Sequence, residues 1–399
     1  MSYSPRLPLL FFSLLGSLLL ICCQPRHEAE QVSTKPNRSF LELLNHLRKP
    51  RYSLPLGTPP VLYRDSTDTY SNERHYKRVL GYELRLAAHP LGLQCRTVQL
   101  RNPFGSDTFP IANSIIYQRH LVTLFSPGRF ACFRLPALER DTQLEEQLNG
   151  QLFDRQQTLD EQLIGWHRGQ AFRFDSVRKS WQPCSDTLPF NQWPKLFEDE
   201  RYVCTKDCQG EFGGNLYFFN KQTKRVTRVD ATCATAVWKQ DGHYQVLASL
   251  AHMLGSSRRG TVQVPESLPP AATLRNPMKT WEYDLPDILP DPTVRRLFGF
   301  HGVLMPGAFR WQSQTFYLVD WRNATFVATV EGKQITIVDP LFSNSLETHH
   351  AVTTNYPDGA ALTTIPRFYA KGKEAACLLI QNGTAQQVEW SKRVPLPYE

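Results

Sequence analysis

A chain of 399 residues, 41% hydrophobic and 21% charged, carries enough apolar material for a sizeable core, which excludes disorder over most of its length. With 23 Phe, 15 Tyr and 8 Trp beside 29 Pro and only 4 Met, the composition favours strands and turns over a long helical bundle. The formal charge of +8 comes from scattered cations, the densest runs being Lys221 to Arg228 and Arg295 with Arg296, so no nucleic-acid partner is expected.

Residues 1 to 22 have the form of a secretory signal peptide: one cation, Arg6, is followed by fifteen uncharged residues from Leu7 to Ile21. Fifteen residues fall short of the ~20 that a helix needs to cross a bilayer, which points to export rather than a span. The run closes on Leu20, Ile21, Cys22, Cys23 and Gln24, a pattern that resembles the lipobox of bacterial lipoproteins. That resemblance makes Cys23 the residue that receives a diacylglycerol. Cys22 stands where the motif prefers Gly, Ala or Ser, and taking Cys22 as the acceptor would put bulky Ile21 there instead. The implied location is a bacterial cell envelope, at the outer membrane or cell surface, with each buried acyl CH2 adding roughly 0.8 kcal/mol of membrane affinity.

Gln24 to about Pro36 is polar and unpatterned, as a tether is. Ser39 and Glu42 then have capping-box spacing, and Leu43, Leu44 and Leu47 before Pro50 predict a short amphipathic helix over about 40 to 48, either a lid on the body or part of the stalk. Residues 23 to 50 are therefore read as a lipidated tether and short helix, and 51 to 399 as one β domain.

Beyond residue 75 the pattern is short strands and turns. The clearest stretch has strands at 216–219, 225–229, 236–238 and 244–250, with Asp241 and Gly242 forming a hairpin turn and 261–264 offering the next strand. It reads as a four-stranded meander of about fifty residues. Similar strands recur at 315–319, 325–330 and 334–338 around Glu331 and Gly332, and again beside Lys371 with Gly372 and Asn382 with Gly383. Turns near 119, 168, 221, 321 and 372 are spaced by 49, 53, 100 and 51 residues. The unfilled slot near 271 is proline-rich, from Pro265 through Pro292, and reads as a long loop, because proline cannot donate to a strand ladder. Four strands per period of 40 to 50 residues predict an all-β fold, a β-propeller of about six blades (five to seven). Tandem β-sandwich domains are the alternative.

The runs Glu211 to Gly214, Leu216 to Phe219, Ala231 to Cys233 and Ser249 to Met253 resemble an uncharacterised group of propeller-like bacterial lipoproteins. The likeness covers mainly residues 200 to 265, with an echo at 308 to 340. It implies location and fold, not a reaction.

After Cys23, seven cysteines remain: Cys95, Cys132, Cys184, Cys204, Cys208, Cys233 and Cys377. An odd number leaves at least one outside any bridge within the chain. A local disulfide between Cys204 and Cys208 and a set of buried or free thiols are both open readings. No second close Cys pair or His pair lies nearby for zinc, and His349 and His350 beside Glu347 would point to opposite faces of a strand, so no metal is expected.

No G-x-S-x-G, H-E-x-x-H or P-loop occurs, and no cofactor is expected. Asp207, Glu211 and His252 around Gly210, Gly213 and Gly214 are weak candidates for acid–base chemistry. The favoured reading is structural: the glycines form a blade-entry bulge and His252 bonds a neighbouring carbonyl. The expected function is a membrane-anchored, non-enzymatic binding face for an envelope protein or glycan, using aromatics such as Trp311, Trp321 or Trp166. The alternative is a carbohydrate hydrolase or lyase with carboxylates lining the propeller channel. Metabolic labelling with a palmitate analogue is expected to mark the wild-type chain and not Cys23→Ser; equal labelling of the two refutes the lipidation site.

Overall fold

The computed structural model describes residues 34–35, 39–48, 56–66, 81–105, 108, 110–184, 193–271, 294–342, 346, 348–365 and 376–391. Cys23, Lys371, Gly372 and the prolines from Pro277 to Pro292 lie outside these residues.

From residue 115 onward, apolar strands punctuated by tight turns form six successive four-stranded antiparallel units. Unit one comprises Ile115–Tyr117, His120–Phe125, Arg129–Arg134 and Glu139–Arg140; unit two comprises Arg155–Leu159, Gln162–His167, Gln170–Asp175 and Ser180–Pro183. Unit three runs Lys195–Glu198, Tyr202–Lys206, Asn215–Asn220 and Val226–Asp230, and unit four Ala234–Gln240, His243–Leu250, Ser256–Val262 and Val294–His301. Unit five is Leu304–Trp311, Gln314–Trp321, Ala324–Glu331 and Gln334–Phe342, and unit six Val352–Asn355, Ala361–Ile365, Ala376–Gln381 and Thr384–Ser391. Asp241 and Gly242 make the expected hairpin with φ of 51° and 78°, as do Asn382 and Gly383 with 51° and 75°.

The opening strands begin at Ile115, Arg155, Lys195 and Ala234, steps of 40, 40 and 39 residues, before the segment between Val262 and Val294 lengthens unit four. The fifty-residue turn spacing is therefore a coincidence of unlike turns. The turn at 118–119 joins the first two strands of unit one, that at 168–169 the second and third of unit two, and that at 221–225 the third and fourth of unit three. The meander expected over 216–264 is likewise divided at Ala231–Cys233: its first half closes unit three and its second half opens unit four.

The units bury their apolar faces against one another. Phe130, Phe153, Leu163 and Phe174 pack between units one and two, Phe218, Val237 and Tyr244 between three and four, and Trp238, Phe300, Tyr317 and Phe326 between four and five. Phe309, Phe316 and Leu378 join five to six, while Ile116, Phe133, Leu362 and Val388 join six back to one. The arrangement is that of a β-propeller, in which one unit cannot bury both faces alone.

Residues upstream of unit one complete the outer edges. Gln94–Arg101 adds in parallel to the last strand of unit six, from Gln94 opposite Thr384 to Arg101 opposite Ser391, and Glu83–Leu86 adds in parallel to the last strand of unit five. These additions cover two open ladder edges. The helix Phe40–Leu47 has the predicted capping box, with the Glu42 amide donating to Ser39 Oγ at 3.2 Å and the Ser39 amide to Glu42 Oε2 at 2.7 Å. Its buried Leu43 and Leu47 join the core with Tyr82 and Trp321, so it lies on the body.

At the centre the opening strands meet. Ala236 of unit four pairs in parallel with Thr353 of unit six, and Thr354 Oγ1 donates to the Lys195 carbonyl of unit three at 3.5 Å. The opening strand of unit five is held between them by side chains: Thr235 Oγ1 donates to Met305 O at 3.1 Å, Thr353 Oγ1 to Pro306 O at 3.2 Å and Asn355 Nδ2 to Ala308 O at 3.2 Å. Gly307 is there because nothing larger fits: a Cβ would lie 2.3 Å from Thr353 Oγ1 and 2.9 Å from Thr363 Oγ1. Gly307→Ala is expected to destabilise the fold by about 1–3 kcal/mol through overpacking. Denaturant melts check this, and a midpoint equal to wild type refutes the close approach.

Candidate functional site

The three residues singled out in the sequence lie on one face, in the loops that join second to third strands. Asp207 begins the loop of unit three, where its carboxylate accepts hydrogen bonds from the Asn215 amide and, at 2.9 Å, from the Tyr217 hydroxyl. Burial and the Asp207 charge push the Tyr217 hydroxyl up from its ordinary value, and its ring stacks on Trp193 at 4.3 Å. Gly214 approaches closely, since a Cβ there would meet Asp207 O at 2.8 Å. Glu211 occupies the 3-10 turn Gly210–Phe212, and its Oε2 lies 2.8 Å from Nε2 of His252 in the corresponding loop of unit four. The structure thus brings Glu211 and His252 together at the surface and engages Asp207 in loop bonds.

The same face carries a correction. Cys208 is bridged to Cys233, tying the unit-three loop to the segment leading into unit four, whereas Cys204 is a buried free thiol. Adjacent strand geometry explains this: Cys204 lies within the strand Tyr202–Lys206, while Cys208 has left it and meets the turn at Ala231–Cys233. The free Cys95, Cys132 and Cys377 are also buried. Burial pushes the Cys95 and Cys377 thiols up to about 12, so they are inert hydrophobes near neutral pH.

Beneath this loop sits Lys206, fully buried, with Nζ donating to Ala351 O at 2.6 Å. Burial pulls its ammonium down to about 7. His350 is also held below its ordinary value, by burial first and then by Lys206 and His349. The two imidazoles stand in a turn with ring centres 6.3 Å apart, not on a strand as expected; Glu347 lies outside the described residues. Among the described residues no three His, Cys, Asp or Glu side chains converge as a metal site.

The aromatics expected on a binding face are placed otherwise. Trp166 and Trp321 are buried in cores, and Trp311 is half-buried against Phe316. Their position in short amphipathic strands made them look like surface anchors; neighbouring units cover them. Nor do the described opening strands supply a ring of acids. Their single carboxylate, Glu198, bonds Lys195 Nζ at 2.6 Å and Lys221 Nζ at 2.7 Å in a polar seam between units two and three.

On the opposite face, where first–second and third–fourth hairpins turn, a groove of about 540 Å3 opens between units four and five. It is lined by Gln240, Arg259, Gln312, Ser313, Gln314, Thr315, Tyr317, Thr329, Val330 and Glu331. Arg259 is laid over the Trp238 ring at 5.1 Å and donates to Gln245 Oε1 at 2.9 Å and to the Tyr317 hydroxyl at 2.6 Å. Its hydrogen-bond partners are neutral. Burial raises the Tyr317 hydroxyl, with Arg259 opposing, so the phenol stays protonated across physiological pH. Sequence reasoning marked the neighbouring turns at Gly242 and Gly332, but no motif marks the groove, because its residues come from four strands of two units and the turn at Gln312 and Ser313.

No family model and no curated protein matches the chain. Similar solved structures include the extracellular domain of BT4673 from B. thetaiotaomicron, 8% identical over 71% of this chain and 33% of that one, with a TM-score of 0.35. The AfRom2 CNH domain is 10% identical over 72% of this chain and 96% of that one, with a TM-score of 0.33. The N-terminal domain of Nup159 is 10% identical over 75% and 81%, with a TM-score of 0.32. The chain spans about a third of the length of the first of these.

Lys206 keeps its proton up to about pH 10 when unfolded but only up to about pH 7 when folded. Between those values the unfolded chain holds more protons, so this residue makes stability rise with pH, by at most about 1.4 kcal/mol per pH unit. Lys206→Met is therefore expected to exceed wild type in stability at pH 6, by a margin that shrinks toward pH 10. A margin independent of pH in parallel urea melts refutes the assignment.

Proposed function

We propose that this chain is an exported protein, held at a membrane by a lipid on Cys23, whose propeller-like body binds a glycan in the groove between units four and five. The carrying observation is the lining of that groove: three glutamines, a serine and two threonines, with one arginine and one glutamate among them. Amides and hydroxyls both donate and accept, which matches the paired donor and acceptor character of sugar hydroxyls. Arg259 adds a fixed donor fork whose orientation is set by Trp238, Gln245 and Tyr317. A protein ligand would be favoured by an apolar, aromatic centre with a polar rim. Here the aromatic Trp238 lies buried under Arg259 instead. The hydrolase reading finds no paired carboxylates along the described opening strands.

The exposed Gln312 and Gln314 line the groove at the tip of one hairpin, with Gln312 and Ser313 in the left-handed turn at φ of 48° and 68°. Replacing both glutamines by Ala is expected to weaken calorimetric binding of envelope polysaccharide fragments about tenfold, the scale of one or two lost hydrogen bonds. The melting temperature should stay at the wild-type value. Unchanged affinity, or absence of binding by the wild-type chain to such fragments, counts against the glycan reading.

A further inference from the structure

We infer that the face opposite the groove docks on an anionic lipid bilayer through two apolar loop tips. Phe212, Met253 and Leu254 are 72%, 89% and 69% exposed, although the body has ample core to hold such side chains. Phe212 follows Glu211, and Met253 and Leu254 follow His252, so the 2.8 Å contact between Glu211 and His252 sets the two tips side by side. Both tips are braced from below. The disulfide from Cys208 to Cys233 fixes the first loop, and the Gly302 amide donating to Gly255 O at 2.8 Å fixes the second.

Shape and charge choose the occupant. Protruding tips suit insertion into the boundary between headgroups and acyl chains, about 5–10 Å deep, better than they suit a flat protein surface. The Glu211 carboxylate between the tips is engaged by His252, and the same loop level in unit five offers Arg322, stacked on Trp321 at 4.6 Å. The chain as a whole is cationic at +8, which draws it toward anionic headgroups. The inference rests on the lipid-anchored reading for its setting: ten residues separate Cys23 from Thr34, which pairs with Val98 on the edge strand Gln94–Arg101, a reach of at most about 40 Å. Such a tether lets the body lie against the membrane, with the groove facing away.

The test places an environment-sensitive fluorophore at Met253→Cys and, in a second protein, at Ser313→Cys on the groove hairpin. Each full-length protein is reconstituted in vesicles of phosphatidylglycerol and phosphatidylethanolamine. Emission from position 253 is expected to shift to the blue and to be quenched by lipids with doxyl groups on the acyl chains, while position 313 reports water. Phe212→Ser with Leu254→Ser should reduce the shift at 253, and melts confirm that these surface changes leave the fold intact. A label at 253 that stays in water overturns the docking, as does equal quenching at 253 and 313. Palmitate labelling separates the two readings. If Cys23 is labelled and 253 stays in water, docking fails and the anchor stands; if Cys23 is unlabelled yet 253 is quenched on added vesicles, the anchor fails and docking stands.

Discussion

The opening strand of unit five, Leu304–Trp311, contains Pro306 and a register shift between Leu304 and Gly307, so part of its backbone cannot be satisfied by a strand ladder. Hydroxyls and an amide from the flanking units take over that role. Ser249 Oγ accepts from the Met305 amide at 3.0 Å, Ser257 Oγ donates to Val303 O at 2.9 Å, and Thr235, Thr353 and Asn355 bond the carbonyls of Met305, Pro306 and Ala308. A buried carbonyl left without a donor costs roughly 1–3 kcal/mol, so these short polar side chains fix where unit five can sit. Units four and six then meet directly at Ala236 and Thr353, and the centre on this side is filled by backbone and hydroxyls.

That filled centre decides where ligands can go. An active site in an open propeller uses side chains from several inner strands around a channel; here the opening strands of units three to six are bonded together. Accessible chemistry is pushed outward, to hairpin tips and loop ends between units. The groove arises in this way, where the turns at 241–242, 312–313 and 331–332 overhang the seam of units four and five. Between units two and three the seam is instead ionic: Lys195, itself buried, reaches Thr158 Oγ1 at 3.0 Å and Glu198, while Lys221 bridges Glu198 to Asp160. Removing Glu198 would leave the buried Lys195 ammonium without its charge partner.

The all-β class, the capped helix and individual hairpins were legible because each rests on local chemistry: Ser39 with Glu42, Asp241 with Gly242, Asn382 with Gly383. Unit boundaries were not, because a strand-to-strand turn inside a unit and a connection between units look alike in sequence. The turn at Ala231–Cys233 separates two sheets, yet those residues carry no local signal of a boundary, whereas Asp241 and Gly242 announce the hairpin that joins neighbours in one sheet. The pairing of Cys208 with Cys233 depends on that same boundary, so the sequence offered only the local partner, Cys204. The candidate trio lies on one face, and its division of labour was hidden in the sequence. Only coordinates show that Asp207 faces its own loop while Glu211 reaches His252.

The two faces differ in a way that follows from strand connectivity. The described second–third loops emerge on one side, and there they carry the disulfide, the Glu211–His252 contact and the exposed Phe212, Met253 and Leu254. First–second and third–fourth hairpins emerge on the other, where tight turns present glutamines, hydroxyls and Arg259. A braced apolar side and a polar, concave side cannot both favour the same kind of neighbour: the first loses free energy in water, the second gains little by leaving it without matched hydrogen bonds. Because the hydroxyl seam at the centre fixes units four, five and six relative to one another, whatever engages one face determines the direction in which the other is displayed.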